Sequence, residues 1–243
     1  MNLIIGASSG LGKCLAEDFS YNNNSFSLLV ARSKILTKSR NVKSISHNIL
    51  NNSNKKLLKH INKNSLENIF FTVGKADWKS DNVYIKDKIA KSILDTNFYA
   101  ISRLTYDLIK NNKLKKNCLI CFCSSVTTIL PRHRQMIYCA SKSALNSFVR
   151  SLRFYIQIKN LNYRVANLQL GYLQTKMNRM VDTPFKKIDP KKLSKLILKN
   201  YKKLDGTLYF PRYWLLIKII LSLMPEKIII MIFKIFFSSK KYF

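Results

Sequence analysis

Short apolar runs punctuate the chain at Leu3 to Ile5, Ser27 to Ala31, Val42 to Ile45, Asn68 to Val73, Cys118 to Ser124, Tyr163 to Leu170 and Thr207 to Phe210. Polar segments flank each of them, and their residues suit strands, so the pattern predicts seven strands. Between them lie helical patterns at Leu11 to Tyr21, Lys55 to Leu66, Ile85 to Asn111, Ile137 to Lys159 and Pro190 to Lys202. Asp189 followed by Pro190 makes a strong helix start, a capping side chain before a residue that fits the first helical position. Strands alternating with helices imply right-handed crossovers and a parallel sheet, a doubly wound α/β (Rossmann) fold. No Pro/Gly/Ser-rich linker divides the chain, so residues 1–210 are expected to form one domain, followed by an apolar extension over residues 211–243.

Composition sets limits on this picture. With 243 residues, 47% of them hydrophobic, the chain can bury one sizeable core. The formal charge of +31, from 43 basic and 12 acidic residues, raises nucleic acid or an anionic membrane as partners. The lysines and asparagines are spread throughout, as in Asn22-Asn23-Asn24 and Lys55-Lys56, and no nucleic-acid motif accompanies them, so no nucleic-acid partner is expected. Five cysteines, an odd number, point to a reducing compartment, and a chain that opens directly on a strand is expected to lack a leader and to work in the cytoplasm. Cys118 and Cys121 form a CxxC inside a strand-like run, where residues three apart face opposite ways, so no metal site is expected.

Candidate chemistry begins at the first strand-to-helix turn, Gly6-Ala7-Ser8-Ser9-Gly10-Leu11-Gly12. Glycines there let a backbone approach phosphates, and a helix N-terminus offers unpaired N–H groups, although a plain tight turn has the same look. Twenty residues beyond Gly12 stands Arg32, where an acid would bind ribose hydroxyls and an arginine accommodates a 2′-phosphate; NADP(H) is therefore expected, with NAD(H) as the alternative and a solvated arginine as the plainer one. Further on, Tyr138 and Lys142 lie four apart, so a helix places phenol and ammonium on one face, where the cation is expected to lower the phenol's pKa.

These residues together resemble the short-chain dehydrogenase/reductase family over nearly all of residues 1–210. The glycine turn matches its TGxxxGxG with Ile5 in place of threonine, and Tyr138 and Lys142 match its YxxxK. Ser125 lies thirteen residues before Tyr138, and Asn97 sits in Asp95-Thr96-Asn97-Phe98-Tyr99-Ala100, both where the family places catalytic residues. The resemblance implies that Tyr138 donates a proton to a substrate carbonyl as hydride arrives, that Lys142 tunes the tyrosine and holds the nicotinamide ribose, and that Ser125 hydrogen-bonds the carbonyl. It implies that Asn97 anchors a water, that Thr175 meets the carboxamide, and that Ser8, Ser9, Leu11, Asn48 and Gly74 contribute to the cofactor site. Ser124 is an alternative to Ser125, Asn97 could merely kink its helix, and Thr175 could cap the helix that follows. The family's asparagine-rich motif is reduced to Phe71-Thr72-Val73-Gly74, and Asn48 replaces an aspartate.

Two features fall outside that core. The loop Leu130-Pro131-Arg132-His133-Arg134-Gln135-Met136 precedes Tyr138, and Arg132 and Arg134 could grip a substrate phosphate, or simply be solvated. From Pro211 to Phe243, two apolar runs broken by Pro225-Glu226-Lys227 carry six basic residues and one acid, too short to span a bilayer but suited to its interface, or to a packing contact. The tail region is also similar to decaprenylphosphoryl-2-keto-pentose reductase-like members of the family. That similarity implies a keto-sugar on a polyprenyl phosphate, a flavin-dependent oxidase as partner and a peripheral place on the cytoplasmic membrane face. A soluble 3-oxoacyl or general carbonyl reductase, and a non-catalytic dinucleotide sensor, are the competing expectations; a homo-oligomer is compatible with each.

Overall fold

The apolar runs become strands because helices cover both of their faces. The computed structural model describes residues 1–22, 25–33, 35, 40–77, 85–130, 132–179, 181 and 183–237; Pro131 of the basic loop and Lys240 and Lys241 of the tail lie outside the described residues. Its strands are β1 (Asn2–Ile5), β2 (Ser27–Ala31), β3 (Val42–Ser46), β4 (Leu66–Phe71), β5 (Leu114–Ser125), β6 (Tyr163–Leu170) and β7 (Gly206–Phe210). All pair in parallel, in the order β3-β2-β1-β4-β5-β6-β7. Helices α1 (Gly10–Asn22), α2 (Lys55–Leu58), α3 (Asp87–Leu94), α4 (Ala100–Lys110), α5 (Met136–Ile158) and α6 (Pro190–Asn200) supply the crossovers, and α7 (Tyr213–Leu223) and α8 (Glu226–Phe237) follow the last strand.

Strand alternation sorts the core into two layers. Leu3, Ile5, Val30, Phe71, Ile120 and Phe122 pack with Ile101 and Leu104 of α4 and Leu145 and Val149 of α5. Their neighbours Ile4, Leu29, Phe70 and Leu119 pack instead with Leu15 and Phe19 of α1 and Leu193 and Ile197 of α6. Cys118 belongs to the first layer and Cys121 to the second, so the CxxC pair points to opposite faces. Strand order reverses at β1, which lies between β2 and β4, and a cleft opens there beyond the carboxyl ends of the strands.

Three elements depart from the sequence pattern. The helix expected over residues 55–66 is a single turn, α2, because Asn64 takes a left-handed φ of 49° and Leu66 already pairs in β4. The long helix expected from Ile85 is interrupted by a π-helical segment, Asp95–Tyr99, between α3 and α4. Strand β5 starts four residues before its apolar run, with Asn117 at φ 63° inside it. No helix among the described residues is long and apolar enough to cross a membrane.

The start of the tail belongs to the body of the fold. Trp214 is 1% exposed, and a Cβ added at Gly171 would come within 2.8 Å of its indole Nε1. Gly171 also donates its backbone N–H to the Phe210 carbonyl at 2.8 Å, so the indole seats on the chain just after β6.

Candidate active site

The turn after β1 is built for close approach. Gly6 and Gly10 hold left-handed φ values of 93° and 54°, which residues with a Cβ rarely adopt. Gly12 is needed for a different reason, since a Cβ there would lie 2.3 Å from both the Gly6 carbonyl and Thr72 Oγ1. It packs α1 onto the turn, while Gly6, Ser8, Ser9, Gly10 and Leu11 line a cavity of about 670 Å³. Ser8 and Ser9 are exposed immediately before α1, so the helix's first N–H groups face that cavity. This bare cradle of glycines at a helix start fits a dinucleotide pyrophosphate. At the far end Arg32 is exposed and lines the cavity after β2, its carbonyl held by Ser46 Oγ at 2.7 Å. Asn48 also lines it, with its side-chain carbonyl accepting the Leu50 N–H at 3.2 Å.

Tyr138 and Lys142 stand one turn apart in α5 and line the same cavity, with the ammonium 6.0 Å from the phenol ring centroid. Lys142 is buried and donates to the Cys123 carbonyl at 3.0 Å. Ser125, at the end of β5, accepts hydrogen bonds from the backbone N–H and the hydroxyl of Thr127 at 3.2 and 3.0 Å. Tyr138 is a further hydrogen-bonding partner of its hydroxyl. Ser124 also lines the cavity, but its hydroxyl donates to Asn146 Oδ1 at 2.6 Å.

The protonation of this group differs from the sequence expectation. Burial pushes the Tyr138 phenol up to about 12, against the pull of the Ser125 hydrogen bond. The same burial brings the Lys142 ammonium down to about 8. Helical spacing foresees that the two are neighbours, but not how dry their surroundings are, and here desolvation outweighs the charge.

Asn97 sits in the π-helical segment and is fully buried. Its side-chain carbonyl accepts the Lys75 N–H at 2.7 Å, and its amide donates to the Lys75 carbonyl at 2.8 Å and to Ser141 Oγ at 2.9 Å. The amide thus clasps the segment after β4 to α5 between Tyr138 and Lys142. Gly74 lines the cavity beside it, with Met177 Cε and Lys142 Nζ 3.5 and 3.9 Å from where a Cβ would sit.

Thr175 lines the cavity across from Gly10 and makes no side-chain capping bond to the short 3₁₀ turn after it. Arg132 and Arg134 are not among the lining residues. Arg132 is 9% exposed, with its guanidinium 5.3 Å from the centroid of the Tyr172 ring, which itself lines the cavity. Lining residues that the sequence did not single out include Lys13, Lys75, Tyr172, Lys176 and Met177. For Tyr172 and Met177 the position after β6, next to Gly171 and Thr175, was a usable signal; the lysines were lost in a chain rich in them.

The family model for short chain dehydrogenase matches residues 1–184. An Arabidopsis thaliana protein named 11-beta-hydroxysteroid dehydrogenase-like 2 is 26% identical over 191 residues, which are 72% of this chain and 59% of that protein. The chain therefore spans less than two thirds of that relative. Among solved structures, a short chain dehydrogenase from Burkholderia cenocepacia in complex with NADP superposes with a TM-score of 0.75 at 17% identity, covering 91% of this chain and 92% of that one. One from Sphingobium yanoikuyae in complex with NADPH gives 0.72 at 18% identity, covering 86% and 87%. A 3-ketoacyl-(acyl-carrier-protein) reductase from Brucella melitensis complexed with NADH gives 0.71 at 16%, covering 87% and 97%.

Proposed function

Because the chain belongs to the short-chain dehydrogenase family, we propose that it is an NADPH-dependent oxidoreductase that reduces a carbonyl to a hydroxyl. The observation that carries this is the meeting of Tyr138, Ser125 and Lys142 on the wall of the cavity that also holds the glycine turn. NADPH, when bound, supplies the hydride. Tyr138 supplies the proton: a phenol held at about 12 is fully protonated at neutral pH, which suits the acid of a reduction. Ser125, hydrogen-bonded to Tyr138 in the free protein, turns its hydroxyl to the substrate oxygen when substrate binds and stabilises charge developing there. Arg32 at the adenosine end favours the 2′-phosphate of NADPH, and the relatives solved with NADP and NADPH are in keeping with it. Comparable affinities for NADH and NADPH would overturn that part. A non-catalytic sensor would have no use for the Tyr138-Ser125 pair.

For the substrate, a carbonyl on an amphiphile such as a polyprenyl-phosphate keto-sugar is the finer reading, supported by the similarity of the tail region. A 3-oxoacyl thioester is the competing one, and NADPH oxidation against both classes separates them. Tyr138→Phe tests the chemistry itself. It should lower kcat at least about 100-fold with NADPH binding retained, and an unchanged rate with an accepted ketone would remove Tyr138 from the mechanism.

A further inference from the structure

Helix α7 has its apolar face turned the wrong way for a solvated helix. Trp214 is buried and Ile217 and Leu221 are half-buried against the protein, whereas Leu215, Leu216, Ile219, Ile220 and Leu223 point outward, Leu216 60% and Leu223 80% exposed. In α8, Ile228, Ile230 and Met231 are exposed as well. Set among these aliphatics are exposed Arg212, Lys218, Lys227 and Lys234, against the single acid Glu226.

The charges decide what covers this surface. A second copy would bring another +31 against the first, and the basic residues that rim the patch would face their own kind. An anionic bilayer meets both demands at once, taking the aliphatics into its acyl boundary while the lysines reach its headgroups. Neither helix crosses such a bilayer, since 11 and 12 residues extend only ~16 and ~18 Å against a hydrocarbon core of ~30 Å. They would lie in its surface.

This surface is tied to the cleft. The α7 indole of Trp214 packs on Gly171 and lies 4.6 Å from the ring of Phe185. Phe185 in turn stacks on Tyr172 at 6.3 Å, and Gly171 and Tyr172 both line the cavity. A continuous aromatic wall therefore runs from the cleft to the first turn of α7. We propose that the outward face of α7 and α8 docks on an anionic bilayer, so that the cleft takes up its carbonyl substrate, an amphiphile, from the lipid phase. The substrate half of this inference rests on the reductase reading of the cleft; the docking half does not.

The test uses the full chain with vesicles of phosphatidylcholine alone or mixed with phosphatidylglycerol. The protein should sediment with the mixed vesicles and be released by high salt. The combined substitution Leu216→Glu, Ile219→Glu, Ile220→Glu and Leu223→Glu should weaken that binding at least about tenfold. These four side chains are all exposed and none lines the cavity, so NADPH binding and the reduction of a small soluble ketone should persist, which also shows that the variant is folded. Failure of the wild type to sediment with the mixed vesicles overturns the docking, as does concentration-dependent self-association in sedimentation velocity that the same variant abolishes. If docking holds, a lipid-borne ketone in vesicles should be reduced at least about tenfold faster by the wild type than by the variant, and equal rates overturn uptake from the lipid. A protein that docks but oxidises NADPH with no carbonyl compound refutes the reductase reading and the substrate half together while leaving the docking standing.

Discussion

Lys142 is a cation in a dry place, and its titration gives the site a stability signature. Burial lowers its pKa from 10.5 to about 8, so between those values the unfolded chain binds more protons than the folded one. Its destabilising contribution is complete below pH 8 and relieved as the pH rises toward 10.5. Tyr138 acts with the opposite sign: raised from 10.0 to about 12, it contributes stability that is present below pH 10 and lost on the way to 12. The buried thiols of Cys14, Cys118, Cys121, Cys123 and Cys139 are also raised by burial and likewise withdraw stability as pH climbs above 9. The Lys142 contribution is therefore read as a difference. The gain in unfolding midpoint of Lys142→Met over the wild type, without cofactor, should shrink as pH rises from 8 to 10.5, and a gain independent of pH would contradict a buried ammonium. At this scale the sequence carried the identities of Tyr138, Lys142 and Ser125 and the distance along the helix. It did not carry depth, because burial comes from residues far away in the chain.

At the level of elements, the π-helical segment shows what periodicity can and cannot report. The apolar pattern of residues 85–111 has a helical period, and a single widened turn at Asp95–Tyr99 hardly disturbs it, yet that turn is what carries Asn97 into its clasp on Lys75. Removing the amide leaves a backbone donor and acceptor of Lys75 and the hydroxyl of Ser141 to find new partners. Asn97→Ala should therefore cost about 1–3 kcal/mol in denaturant unfolding and reduce turnover, because Ser141 lies one residue before Lys142. Asn97→Asp keeps the bond from the Lys75 N–H but sets an acceptor against the Lys75 carbonyl, so it should not restore the wild-type stability. Unchanged stability in both variants would mean that the clasp is ornamental. The inner strands were easier to read, since β1, β2 and β4 are buried on both faces and largely apolar, whereas the edge strands β3 and β7 are partly exposed. The helix expected over 55–66 failed because its second half, Asn62-Lys63-Asn64-Ser65, is polar and carries a left-handed asparagine that ends one turn and starts the approach to β4.

For the whole molecule, the boundary between body and tail is a matter of where packing ends rather than where the sheet ends. The expected division at residue 210 follows the last strand, but Trp214 lies beyond it and is as buried as any strand residue. A tryptophan in an apolar run looks the same in sequence whether it meets lipid or Gly171, so only the fold could tell which. Two truncations separate the roles. Ending the chain after Phe210 strips the indole from Gly171 and Phe185, and large-to-small changes at buried tryptophans cost about 3–5 kcal/mol, a large share of the 5–15 kcal/mol that holds a typical domain together. Ending it after Met224 keeps that anchor and removes α8, whose described residues are half-buried or exposed, together with the residues that follow it to Phe243. The shorter chain should unfold at clearly lower denaturant and bind NADPH poorly, because the rim at Gly171 and Tyr172 loses its backing. The longer one should keep both properties while sedimenting less with anionic vesicles. Equal losses in the two would make α8 part of the packed body, and would move its exposed lysines and aliphatics from a bilayer to some partner surface within the fold.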